Sequence, residues 1–239
     1  MKTFVIPDIH LKTWMLDKAD DMVDKGDYDR IIFLGDFVDD WDQQRNIGLY
    51  DDIFDAIRDF VKKHQNSLIC FGNHDMSYIW QALESGYSDI ARDTVVARLQ
   101  ELRTLLPKEN EAFMHKLDNV IFSHAGLTRQ FVMEHFAYDT DPSIEHMVER
   151  INMMGEYELW KDQSPLWARP GGYGRGYDFY SRGCLQVVGH TPVKRPYYFQ
   201  DQDLLVCDTF STYGDGSPIG NNSFVWVDTV TKEWHARII

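Results

Sequence analysis

Apolar residues fall along the chain in two alternating rhythms. Short solid runs, TFVI (3–6), RIIFL (30–34) and SLICF (67–71), read as buried strands. Between them lie helical patterns. Residues 12–25 place Trp14, Met15, Met22 and Val23 at roughly helical spacing before Gly26, and residues 46–64 set Ile53, Phe54, Ile57, Phe60 and Val61 on one face. Strand, helix, strand, helix, strand with solidly apolar strands predicts a parallel sheet covered by helices. Helices are predicted over 76–85 and over 92–106, the latter through Val95, Val96, Leu99, Leu102 and Leu106. AFMHKL and NVIFS (119–123) follow as a hairpin turning at Asp118-Asn119, and 128–162 is again mostly helical. After the Gly-rich loop PGGYGRGYD (170–178), the end is β: LQVVG (185–189), PYYFQ, DLLVCD, SFVWVD and EWHARI. One α/β domain over 1–239 is expected, with a helical insertion about 76–110, a second helical region about 128–162 and a β-rich C-terminal half.

Composition narrows the class. The chain has 239 residues, 44% of them hydrophobic, enough to offset the entropy of ordering a large core. No run reaches the ~18 apolar residues of a membrane span, and the apolar start of MKTFVIPDIH is too short for a signal peptide. Cys70, Cys184 and Cys207 are isolated and set in apolar surroundings, as expected of reduced core thiols rather than a disulfide frame, which predicts a cytoplasmic location. The net charge of −14 argues against a broad nucleic-acid-binding surface.

The chemistry gathers where strands stop. FVI runs into Pro7-Asp8-Ile9-His10, IIFL into Gly35-Asp36-Phe37-Val38-Asp39, and LICF into Gly72-Asn73-His74-Asp75. VIF runs into Ser123-His124-Ala125-Gly126, and QVV into Gly189-His190-Thr191-Pro192. Any one of these is most simply a turn. Together they occupy one topological position, beyond the carboxyl ends of strands, where ligands bind in open α/β sheets. Their oxygen and imidazole donors suit divalent first-row metals such as manganese, iron, zinc or cobalt, and there are more of them than one tetrahedral ion needs. A carboxylate such as Asp36 can bridge two ions, and Asp8 and His10, two apart, would point the same way in a regular strand. His64, His115, His135, His146 and His235 lack that setting and read as structural or surface residues.

As an ordered set, these five clusters resemble the calcineurin-like metallophosphoesterases. Within that superfamily they are similar to the phosphoprotein-phosphatase branch, particularly its bacterial and phage members, and to the symmetrical diadenosine tetraphosphatases. The resemblance spans residues 4 to about 210. It implies a four-layer αββα sandwich of two mixed sheets flanked by helices. It also implies two divalent metal ions (Mn, Fe, Zn, Co or Ni), Asp8 and His10 holding the first, Asp36 bridging, and Asn73, His124 and His190 holding the second. His74 would be the catalytic acid, oriented by Asp39. The implied activity is hydrolysis of a phosphomonoester by a hydroxide bridging the metals, most readily by a phosphoprotein (Ser/Thr) phosphatase-like enzyme. A dinucleoside polyphosphate or other phosphoanhydride hydrolase is the alternative, and a non-catalytic metal-binding scaffold a second one. Two ions would neutralise phosphate oxygens and lower the pKa of a bound water, and a histidine paired with a carboxylate stays protonated more readily, as an acid must.

The chain departs from the phosphatase pattern at several points. Pro7 and Leu11 flank the first motif where glycines are usual. Asp40 and Trp41 follow Asp39 where the family usually has Arg-Gly, so a phosphate-binding arginine is missing and a carboxylate stands in its place. Asp208-Thr209-Phe210 replaces the usual Asp-Thr-Gly. Arg169 and Arg175, in SPLWARPGGYGRG (164–176), are the candidates to bind substrate phosphate instead, since a guanidinium fork matches phosphate bidentately. Trp41, Tyr173 and Tyr177 are candidates to stack on a base, against the more usual role of aromatics in packing. The expected partner is a phosphorylated substrate, protein or nucleotide.

Overall fold

The computed structural model describes residues 1–139, 142–172 and 176–239. It contains two mixed sheets. The first runs β11-β10-β1-β2-β3-β4. In it β1 (Lys2–Ile6), β2 (Arg30–Phe33), β3 (Ser67–Cys70) and the two-residue β4 (Glu111–Ala112) are parallel. β10 (Ser223–Asp228) and β11 (Trp234–Ile238) close its edge antiparallel. The second runs β5-β6-β7-β9-β8, from β5 (Met114–Leu117), β6 (Val120–Ser123), β7 (Leu185–Val188), β8 (Tyr197–Phe199) and β9 (Leu204–Val206). Its three central strands are parallel, and β5 and β8 pair antiparallel at its edges.

Strand alternation explains why two sheets face each other. On β1, Val5 joins a buried cluster with Ile32, Leu34, Leu68, Cys70, Phe122, Val187, Leu205, Cys207 and Val225, drawn from both sheets. Its neighbours Phe4 and Ile6 point the other way, into a cluster with Met15, Leu16, Ile53, Ile57 and Val61 of the covering helices α1 (Thr13–Lys25) and α2 (Ile47–Lys63). The second sheet is covered in the same way: Ile121 and Met114 cluster with Phe131 of α5 (Arg129–Phe136) and with Ile144, Met147 and Ile151 of α6 (Ile144–Ile151). Helix, sheet, sheet, helix is the order of layers, as expected. Two free thiols, Cys70 and Cys207, lie in the inter-sheet layer. No helix among the described residues is long and apolar enough to cross a membrane.

Three elements differ locally from expectation. The helix expected from 76 begins at Asn73 and runs to Trp80 as α3, because the Asp75 carboxylate accepts the backbone N–H of Gly72 at 2.9 Å and caps its first turn. The helix expected to 106 ends at Leu102 (α4, Arg92–Leu102). The run AFMHKL is not one strand. Glu111–Ala112 pairs with β3 in the first sheet and Met114–Leu117 with β6 in the second, so the chain changes sheets at Phe113. Asn152 Oδ1 accepts both N–H groups at the switch, from Phe113 at 3.0 Å and Met114 at 2.9 Å. The hairpin at Asp118-Asn119 forms as read, with Leu117 opposite Val120 and Asp118 left-handed at φ 46°. After α6, a short α7 (Glu156–Leu159) completes the helical region.

Phe122 is fully buried between the sheets. Phe122→Ala is expected to cost about 3–5 kcal/mol of folding stability, measured as a lower urea midpoint with an unchanged m-value; a loss under 1 kcal/mol would mean that the two sheets do not share this core.

Candidate active site

Every cluster singled out in the sequence leaves its strand at the same end of the two sheets, and the backbone there is bent hard. His10, Asp36, Asp39 and His190 all hold left-handed φ angles of 46°, 52°, 64° and 59°. Each such non-glycine residue costs on the order of 1–3 kcal/mol, so neighbouring bonds must over-determine it. They do. The N–H groups of Ile9 and His10 both donate to the Asp36 carbonyl, at 3.0 and 2.9 Å, and Leu11 N–H donates to the Phe37 carbonyl. Asp75 ties the same loop to α3, its Oδ2 accepting from the Asp36 N–H at 2.8 Å and its Oδ1 from the Phe37 N–H at 2.9 Å. Asp75 was visible in the sequence as the end of Gly-Asn-His-Asp, but nothing there showed that it would staple two loops.

Two histidines define the floor. His124 Nδ1 lies 2.8 Å from the Leu34 carbonyl, and His190 Nε2 lies 3.1 Å from the Trp167 carbonyl. A carbonyl only accepts, so those nitrogens carry the protons and the remaining nitrogens, when the rings are neutral, carry bare lone pairs. His124 Nε2 and His190 Nδ1 then face each other at 3.0 Å, with Asn73 Oδ1 2.9 Å from His124 Nε2 and Asp36 Oδ2 at 3.3 Å. Four acceptors converging on one point need a cation. Burial depresses His124, but the carboxylates of Asp36 and Asp8 outweigh it and lift that ring to about 9. Burial, Arg169 and His124 together push His190 well below its ordinary value.

Asp8 makes the same demand. Its Oδ1 accepts the His190 N–H at 2.8 Å, while its Oδ2 is buried with no hydrogen-bond partner. Burial and the nearby Asp208 carboxylate raise Asp8 well above the usual range. Asp36 moves the other way, because His124 and His74 outweigh its burial. His10 donates from Nδ1 to the Asp39 carbonyl at 2.8 Å, which leaves Nε2 free 3.7 Å from Asp36 Oδ2. Ligand atoms of Asp36, His124 and His190 lie within 4.8 Å of one another, as do those of His10, Asp36 and His74, so Asp36 belongs to both groups. An orphaned carboxylate oxygen, bare imidazole nitrogens and a shared carboxylate fit divalent cations held by oxygen and nitrogen. The backbone leaves room for the two carboxylates: a Cβ on Gly189 would lie 2.0 Å from Asp8 Oδ2, and one on Gly72 2.1 Å from Asp36 Oδ1. A further cluster, Asp20, Asp24 and His64, already shares a cation of the chain's own, with Lys63 pairing to Asp20 at 2.8 Å and to Asp24 at 2.7 Å.

His74 stands beside this floor. Its N–H donates to Asp36 Oδ1 at 3.0 Å and its Nδ1 to Asp39 Oδ2 at 3.0 Å. The other oxygen of Asp39 accepts from the hydroxyls of Tyr50 at 3.1 Å and Tyr78 at 2.6 Å, both buried. Burial depresses His74, but Asp36 and Asp39 outweigh it and raise the ring to about 9. Neither tyrosine stood out in the sequence, since each sits in an ordinary helical apolar pattern.

These groups open into a cavity of about 220 Å³, lined also by Asp40, Trp41, Glu84, Trp167, Arg169, Thr212 and Ile219. Arg169 donates from Nη1 to the His190 carbonyl at 2.7 Å, which anchors one arm of its fork at the cavity wall. Arg175 and Tyr173 lie outside the described residues. Tyr177 packs against the cluster of Ala125, Ala168, Phe179 and Val206 and does not line the cavity. Asp40 does not face the cavity as a bare charge: Lys12, only 9% exposed, donates to its Oδ2 at 2.9 Å. In the sequence Lys12 passes for a helix start. Asp208, which opens the stretch that departs from the family pattern at Phe210, is satisfied locally by the N–H groups of Phe210 and Ser211 and by the Ser211 hydroxyl.

The calcineurin-like phosphoesterase family profile matches residues 1–215, and the chain belongs to that family. Its fold and donor set are those of a metal-dependent phosphoester hydrolase. Among solved structures, a protein serine/threonine phosphatase from Saccharomyces cerevisiae aligns over 95% of this chain and 72% of its own, at 17% identity and a TM-score of 0.59. The cold-active protein-tyrosine phosphatase of a psychrophilic Shewanella species aligns over 98% and 80%, at 14% identity and a TM-score of 0.56. At these identities the likeness is one of fold. No curated protein matches the chain at a significant level.

Lys12→Met should leave Asp40 uncompensated at the cavity mouth and raise KM for a dianionic phosphate ester about tenfold, less so at high salt. Asp40→Asn in the same chain should restore the wild-type KM; a double variant as impaired as the single one would show that Lys12 acts in some other way.

Proposed function

We propose that the protein is a two-metal phosphomonoesterase of phosphoprotein-phosphatase type, with Asp8, His10 and Asp36 holding one divalent ion and Asp36, Asn73, His124 and His190 the other. The observation that carries this reading is the convergence of bare acceptors on Asp36 from both sides. When bound, such ions neutralise phosphate oxygens and acidify water near neutrality. The rest is the work of side chains. The carbonyls of Leu34, Trp167 and Asp39 fix which nitrogen of His124, His190 and His10 is bare. Asp39 holds His74 by Nδ1, so Nε2 is the nitrogen left to face the substrate and pass a proton to the leaving oxygen. The two tyrosines keep Asp39 in place. Arg169, pinned at Nη1, presents its remaining N–H groups to the phosphoryl oxygens.

A dinucleoside polyphosphate is the weaker reading. Pockets for drug-sized ligands typically measure ~300–1,000 Å³, and this cavity of about 220 Å³ is smaller and has Glu84 on its lining. It suits a phosphoryl group and a compact leaving group better than a chain of phosphates.

Asp36→Asn should abolish phosphate release from p-nitrophenyl phosphate in manganese buffer and lower the metal content measured by mass spectrometry. His74→Asn should keep both metals but lose about 10²- to 10³-fold in kcat. Wild-type rates in both variants would refute the assignment.

A further inference from the structure

The loop that lacks the family's arginine has built something else there. Trp41 stands 57% exposed on the cavity lining. Exposed tryptophans usually move, but this one is held on two sides. Its Nε1–H donates to the Thr212 carbonyl at 2.8 Å, and a Cβ on Gly214 would lie 3.8 Å from its ring. Its backbone N–H donates to Asp40 Oδ1 at 2.9 Å, and Asp40 is itself fixed by Lys12. The indole is therefore a pre-set plate, with its donor already used and its apolar surface facing a cavity that continues to His10, Asp36 and His74. Trp167 and Ile219 extend the apolar lining.

On the reading of the site as a phosphomonoesterase, we propose that Trp41 determines specificity and that the preferred substrates are aryl phosphates, the leaving-group ring lying on the indole. An alkyl ester such as phosphoserine would leave that plate wetted. A ring of phenol size fits the volume, and a neutral ring meets no repulsion from Glu84, whereas further phosphates would. Offset aromatic pairs are favourable beyond the area they bury, by an amount equivalent to about three- to tenfold in affinity.

The test compares wild type, Trp41→Phe and Trp41→Ala on phosphotyrosine and phosphoserine in the same manganese buffer. Trp41→Ala should lower the phosphotyrosine-to-phosphoserine ratio of kcat/KM about three- to tenfold, mainly through KM, while Trp41→Phe retains most of it. Because the side chain is exposed, folding should survive, which a thermal melt checks. Calorimetry supplies a readout independent of turnover: wild type should bind phenylphosphonate more tightly than methylphosphonate, and Trp41→Ala should lose that preference. An unchanged ratio together with equal affinities for the two phosphonates overturns the aryl assignment. Failure of wild type to hydrolyse either ester, with phenylphosphonate preference intact, would bring down the hydrolase reading and leave Trp41 as a ring-binding residue.

Discussion

The structure depends on a surplus of lone pairs at one point. His124, His190, Asn73 and Asp36 all present acceptors to the same small volume, and backbone carbonyls behind the two imidazoles prevent the rings from turning to relieve it. Nothing in the side chains themselves resolves that crowding except a positive charge. The bent loops, the left-handed residues and the glycines that leave room for Asp8 and Asp36 all serve to keep this arrangement from relaxing. A divalent cation held there would satisfy these acceptors together and so add to folding stability, as metal binding does at preformed sites.

Around that point the neighbours are ranked by how directly they act. Asp39 shapes His74, and Tyr50 and Tyr78 shape Asp39. Asp75 holds the loop that carries Asp36 against the helix that carries Asn73 and His74. Lys12 cancels Asp40, and Thr212 fixes Trp41. In each case a polar group chosen for one neighbour also links two separate loops, so the chemistry and the fold are braced by the same bonds.

Much of this could be read from the chain before any coordinates. The apolar runs at 3–6, 30–34 and 67–71 fall on β1, β2 and β3, and the polar clusters that follow them meet in space because parallel strands deliver their ends to one side. What could not be read was whatever depends on side chains meeting across long separations. The change of sheet at Phe113 needs Asn152, and the placing of Asp39 needs tyrosines whose spacing is simply helical. The pairing of Lys12 with Asp40 is likewise invisible, so the sequence shows a carboxylate in the place of the arginine but not the lysine that pairs with it. Asp118-Asn119, by contrast, was legible because its turn is local.

The pairing of β1 with β10 carries one further consequence. Lys2 stands opposite Asp228, and Asp8, just beyond the same strand, accepts a hydrogen bond from His190, 182 positions away. Loop closure over such separations is entropically costly and slows assembly. β1 must therefore wait for segments 182 positions or more behind it before its aspartate finds its setting. During that interval the apolar run TFVI can pair with β2 on one side but presents an open edge on the other, where unpaired strands meet other chains.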